Sequence, residues 1–120
     1  MVLVDTSIWI DHFRKGNPDL EYLLSEFEAA THPYIIGELL CGNFRNRTAI
    51  HTLIAALPVV PEVTQEEYCH FIERHELFGR GLGFVDVHLL AAATVSHARL
   101  FTRDKCLLSA ASGMNIAYTG

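Results

Sequence analysis

Little in this chain is basic, little of it is cysteine, and none of its apolar runs is long. Nine lysines and arginines face fourteen acids, a net charge of −5. A protein that grips nucleic acid through its phosphates usually carries the opposite sign, so bulk charge alone argues against that partner. The three cysteines, Cys41, Cys69 and Cys106, are odd in number, lie far apart and form no CxxC pair, which excludes a disulfide framework and a zinc knuckle. They read as small buried hydrophobes in a reducing cytosol. No run approaches the ~18 apolar residues of a membrane span, and no basic segment precedes an apolar one at Met1-Val2-Leu3-Val4. A cytoplasmic protein with no membrane partner is therefore expected. With 50% hydrophobic residues in a chain of 120, disordered and collagen-like classes are excluded, and residues 1–120 read as a single domain.

What is present reads as alternating strands and helices. Val2-Leu3-Val4 is a short continuous apolar run closed by Asp5, the pattern of a buried parallel strand. Thr6 or Ser7 caps a helix carrying Ile8, Trp9, Ile10 and Phe13, which Gly16 and Pro18 stop. The 3–4 spacing of Leu20, Leu23, Leu24 and Phe27 predicts a second helix over 19–30. Further helices are expected over 35–41, about 46–57, from the Thr64/Glu67 capping box to Gly79, over about 85–97 and over 105–111. Short strands are expected at 59–60, 100–102 and 116–118. The sum is an α/β fold around a parallel sheet of four to five short strands, with a ligand site beyond their carboxyl ends.

Most of the acids sit among polar residues and read as solvated. Four do not: Asp5 ends Val-Leu-Val, Glu38 lies in Ile-Ile-Gly-Glu-Leu-Leu, Asp86 in Phe-Val-Asp-Val-His, and Asp104 follows Leu-Phe-Thr-Arg. An ionised carboxylate is costly to bury unpaired. Taken singly, each has an ordinary reading: Asp5 and Asp104 as strand-end residues, Asp86 as a helix N-terminal acid, Glu38 as an arginine's partner. Taken together, Asp5 and Asp104 leave strands on the face where parallel sheets build sites. If Asp86 and Glu38 reach the same face, the four repel one another unless a hard divalent cation holds them. All-oxygen ligation selects Mg²⁺ or Mn²⁺, and paired ions of this kind suit in-line displacement at phosphorus.

These residues resemble the PIN domains, and within them the VapC-type toxins of bacterial toxin–antitoxin pairs. The resemblance runs from Val2 to Tyr118 and rests on Val2-Leu3-Val4-Asp5-Thr6-Ser7, Ile36-Gly37-Glu38-Leu39-Leu40-Cys41-Gly42, Gly83-Phe84-Val85-Asp86-Val87-His88 and Leu100-Phe101-Thr102-Arg103-Asp104-Lys105. It implies a three-layer α/β/α sandwich and a Mg²⁺- or Mn²⁺-dependent endoribonuclease that cleaves RNA by two-metal-ion hydrolysis. It further implies a homodimer held inactive by a small DNA-binding antitoxin of the VapB type. The family's catalytic and metal-binding quartet falls on Asp5, Glu38, Asp86 and Asp104, supported by Thr6 and Thr102. By that pattern Asp5, Glu38 and Asp86 hold the first ion, while Asp104 helps with the second or orients the water.

Arg103 and Lys105 flank Asp104, Arg80 lies in the glycine-rich connection and Arg14 ends the first helix. All four are candidates to hold flanking RNA phosphates, against the plainer reading of solvated or paired surface bases. His88, two residues from Asp86, falls on another side of a helix and reads as a packing or surface residue. His12, His51, His70 and His75 have no partner at ligand spacing. Trp9 and Phe13 read as core or antitoxin-groove residues rather than base-stacking ones.

Other functions are weighed beside this one. A phosphohydrolase using Asp5 as a covalent nucleophile needs a second aspartate where Ser7 stands. An RNA-maturation nuclease and a non-catalytic binding module share the fold. The charge objection weakens under the leading reading, since two bound divalent ions bring −5 to −1.

Overall fold

The computed structural model describes residues 1–120. In chain order the elements are β1 (Val2–Val4), α1 (Thr6–Lys15), α2 (Pro18–Ser25), β2 (Ala29–Ala30), α3 (Pro33–Leu40), α4 (Arg47–Ala55), α5 (Gln65–Arg74), α6 (Phe84–Val95), β3 (Arg99–Phe101) and α7 (Lys105–Gly113). The sheet is parallel with order β2-β1-β3. All three residues of β1 are buried, as a strand covered on both faces requires. A continuous core of 29 buried apolar residues surrounds it. No helix is long and apolar enough to cross a membrane.

The sheet has three strands rather than four to five. The expected strands at 59–60 and 116–118 shrink to single parallel bridges, Thr31 with Val59 and Leu100 with Ala117. Val59 and Val60 lie between Pro58 and Pro61, and proline has no N–H to extend a ladder. The position of the added ribbon is as expected; its length is not.

A second correction concerns residues 26–30. The second helix stops at Ser25, and Ala29–Ala30, expected to be helical, form the edge strand β2. Phe27 takes a left-handed conformation with φ 56° and reverses the chain, its N–H bonding Leu24 O while Glu28 N bonds Leu23 O. Alanine favours helix, but both alanines are buried against β1, and this packing overrides local preference. The same device ends three more helices: Glu76, His97 and Asn115 are also left-handed, each just past a helix C-terminus. Four helices thus turn without the glycine that usually marks the turn.

The cysteines are a third correction. Cys41, Cys69 and Cys106 are all exposed, on the outer faces of α5 and α7 and at the end of α3. Trp9, by contrast, is wholly buried, as its place on the apolar face of α1 predicts.

Candidate functional site

The register of β1 and β3 sets the first pair of polar residues. Val4 pairs with Phe101, so Asp5 and Thr102 emerge side by side, and Asp5 N bonds Phe101 O at 2.9 Å. Asp5 is buried, at 7% exposure, and its Oδ2 accepts from the hydroxyls of Thr102 at 2.8 Å and Ser7 at 2.7 Å. Ser7 Oγ in turn accepts from Arg103 N at 3.0 Å, and Thr102 Oγ1 accepts from Asp104 N at 3.1 Å. Thr6 or Ser7 is the cap expected from the sequence, but Asp5 caps α1, and Ser7 instead ties the first strand end to the last.

Asp104 caps α7, its Oδ1 accepting from Leu107 N at 2.9 Å. Asp86 lies in the first turn of α6, where its Oδ2 accepts from Gly83 N at 2.9 Å. Glu38 comes from the exposed face of α3 and accepts from Thr6 Oγ1 at 2.6 Å. Asp5 and Asp104 are helix N-caps and Asp86 a first-turn residue, so the positive ends of α1, α7 and α6 all support a carboxylate.

These charges feel one another. Burial pushes the Asp86 carboxyl above its ordinary value, the Gly83 N–H partly offsets this, and the Asp104 and Asp5 carboxylates push it further up. The structure therefore brings Asp5, Asp86 and Asp104 within electrostatic reach, with Glu38 linked through Thr6. Neither the three aspartates nor any other group of three His, Cys, Asp or Glu is drawn close enough to hold a metal ion. Each acid turns one oxygen onto a protein donor: Thr102 and Ser7 for Asp5, Thr6 for Glu38, Gly83 N for Asp86 and Leu107 N for Asp104. The other oxygen of each has no protein donor. Four free carboxylate oxygens beside three hydroxyls are a donor set that fits a hard divalent cation.

The basic candidates divide. Arg103 is committed within the protein, its guanidinium bonding Asp11, which Asn17 Nδ2 also bonds at 3.0 Å. Asp11 is 8% exposed, and Asn17 first, then Arg103 and Lys15, hold its carboxyl below the usual range. Sequence reasoning passed over Asp11, although Trp9-Ile10-Asp11-His12-Phe13 carries the same signal as the other embedded acids, an acid in an apolar stretch. Arg14, Arg80 and Lys105 are exposed and pair with no acid. Arg14 lines a surface depression with Ser7, Ile10, Asp11 and Arg103. The connection bearing Arg80 lies against the first turn of α7, where a side chain on Gly81 would meet Cys106 Sγ at 3.1 Å.

His88 is 2% exposed and packs against Tyr34, Tyr68 and Phe84, the packing role its helix position suggested. His32 is wholly buried and caps α3, its Nδ1 accepting from Tyr34 N at 3.0 Å. Burial first, and then His88, lower its pKa to about 4.

Among known protein families, the PIN domain matches residues 2–112. Ribonuclease VapC32 of Mycobacterium tuberculosis, in strains CDC 1551 / Oshkosh and H37Rv, is 44% identical over 118 residues, which cover 98% of this chain and 95% of that protein. Among solved structures, a toxin–antitoxin complex from Klebsiella pneumoniae superposes with a TM-score of 0.70 at 18% identity, covering 99% of this chain and 97% of that one. FitAB bound to an IR36 DNA fragment gives 0.67 at 19% identity, covering 98% and 92%. The chain belongs to the PIN domain family and is of the VapC type.

Proposed function

We propose that this chain is a Mg²⁺- or Mn²⁺-dependent endoribonuclease, the toxin of a VapBC-type pair, which cleaves RNA phosphodiester bonds in the cytoplasm and so inhibits growth. The observation that carries this reading is the convergence of Asp5, Asp86 and Asp104 from three helix N-termini at the carboxyl edge of the sheet, where bound cations would relieve their mutual repulsion. In support stand a ribonuclease relative over almost the whole chain and a fold shared with a toxin–antitoxin complex.

In this reading Asp5, Glu38 and Asp86 would hold the first ion, and Asp104 would help with the second or orient the water. When bound, the ions supply a water of lowered pKa and stabilise charge developing at phosphorus. Thr6 and Thr102, with Ser7, fix the carboxylates: their hydroxyls donate to one oxygen each of Glu38 and Asp5 and leave the other without a protein donor. Arg14, Arg80 and Lys105 meet flanking phosphates as unpaired cations, while Arg103 acts with its guanidinium held on Asp11.

The remaining expectations rest on the same reading. Residues 1–120 act as a single domain. With strand order β2-β1-β3, the two crossovers run in opposite directions, and right-handed connections then put helices on both faces, a three-layer α/β/α sandwich. The active form is a homodimer, and a VapB-type antitoxin is its inhibitor.

Incubation of the purified chain with cellular RNA tests the function. Cleavage is expected with Mg²⁺ or Mn²⁺, to stop with EDTA, to leave 5′ phosphates and to disappear in Asp5→Asn. Cleavage that survives excess chelator, or cyclic phosphate ends, overturns the mechanism.

A further inference from the structure

Glycine is, after proline, the weakest helix former, yet Gly37 sits inside α3 and is exposed. Nothing in the fold calls for it there: a Cβ built on Gly37 meets no atom within 4 Å, whereas one on Gly42 or Gly81 would press on Phe44 or Cys106. The space it leaves belongs to a shallow groove of about 430 Å³, lined by Tyr34, Gly37, Glu38 and Cys41 along one face of α3 and by Phe84 and Val85 at the start of α6. The groove is apolar except at Glu38, which Thr6, next to Asp5 in the chain, ties to the sheet's carboxyl edge.

Phe84 gives the groove its character. The ring is 56% exposed, and it is held by its neighbours. Tyr34 lies nearly parallel to it at 6.0 Å, while Tyr68 at 5.1 Å and His88 at 4.7 Å support it from the core side. An exposed ring fixed at a set angle beside bare helix backbone is suited to another flat ring.

Charge says which ring. A chain of net charge −5 gains little from bulk attraction to RNA, so contacts that do not depend on charge must add to what its few unpaired cations supply. Stacking of an unpaired base is such a contact. Resting on the ribonuclease reading above, we infer that Tyr34, Gly37 and Phe84 form a slot for the nucleobase next to the scissile phosphate. The slot takes a base splayed from a single strand or loop, since bases paired within a duplex cannot enter it. Phe84 and Gly37 are specificity residues rather than catalytic ones.

The test uses the full chain with Mn²⁺ and single-stranded oligoribonucleotides of random sequence, with cuts mapped by end sequencing. One cleaved strand is then remade with an abasic nucleotide at each position flanking the cut. Three chains are compared: wild type, Phe84→Leu, and Gly37→Leu, a better helix former that fills the slot. Both variants are expected to keep the Mn²⁺-induced rise in melting temperature, and Gly37→Leu to melt at least as high as wild type. On the intact strand each raises KM roughly fivefold or more, with kcat little changed. At one abasic position wild type loses the same factor and the variants lose nothing further, because both changes remove one contact. Equal KM for all three chains on the intact strand overturns the slot. So do losses that simply multiply, which mark a general disturbance of the site. A wild-type chain that cuts no strand overturns the ribonuclease reading itself, and this one with it.

Discussion

Thr102 Oγ1 donates to Asp5 Oδ2 at 2.8 Å, joining two buried residues 97 positions apart in the chain. The parallel register of Val4 with Phe101 puts them there, and no local feature of either segment does. The hydroxyl also accepts from Asp104 N, so it sets two acids of the site at once.

Thr102→Val keeps the shape and removes the hydroxyl, leaving Asp104 N without that acceptor and Asp5 with one fewer donor. Chemical denaturation is expected to show a loss of about 2 kcal/mol, the usual worth of a buried hydrogen bond to a charged group. Half-maximal cleavage is expected to need more Mn²⁺, and Thr102→Ser should recover most of both. A valine variant with unchanged Mn²⁺ dependence removes Thr102 from the site.

Asp86→Asn should separate stability from activity. The folded-state pKa of Asp86 lies above its ordinary value, so its contribution to stability is present at low pH and lost as pH rises through that value. At neutral pH the ionised group therefore opposes folding of the metal-free chain. The asparagine variant is expected to melt above wild type in EDTA and below it in saturating Mn²⁺, and to cleave nothing. The same order under both conditions contradicts the cation-held cluster.

His32 has the opposite sign. Its folded-state pKa is lowered from 6.5 to about 4, so the stability it confers is complete above pH 6.5 and lost as pH falls through that window. The loss is on the order of 3 kcal/mol over the full window. His32→Asn keeps a cap for α3 and cannot titrate, so its unfolding free energy should fall less between pH 6.5 and 4 than that of wild type. Parallel curves for the two proteins count against the assignment.

Phe27 is left-handed and 92% exposed, so it bears backbone strain and contributes almost no packing. Glycine at that position relieves the strain. Phe27→Gly is expected to stabilise the chain by about 1 kcal/mol, while Phe27→Ala should not. A melting temperature no higher than wild type for the glycine variant refutes this account.

How far the sequence could be read depended on whether a feature was local. The Thr64/Glu67 capping box forms as expected, because its two bonds lie within four residues. Asp5 at the end of an apolar triplet and Asp86 in the first turn of a helix were legible for the same reason. Ala29–Ala30 were not, since alanine carries a helical preference and only pairing with β1 makes the segment a strand. The exposed cysteines were misread from composition, which says nothing of helix phase. The groove beside Glu38 was hidden as well, because it arises where α3 meets the start of α6, and no single stretch of chain contains both.

The central place of β1 bears on how the protein is made. The strand bonded on both edges is synthesised before both of its neighbours, and one of them, β3, comes only at Arg99–Phe101. Until then Asp5 has neither Thr102 nor Asp104 beside it. A chain cut short by stalling or early termination carries most of the helices but lacks the partners that complete the centre.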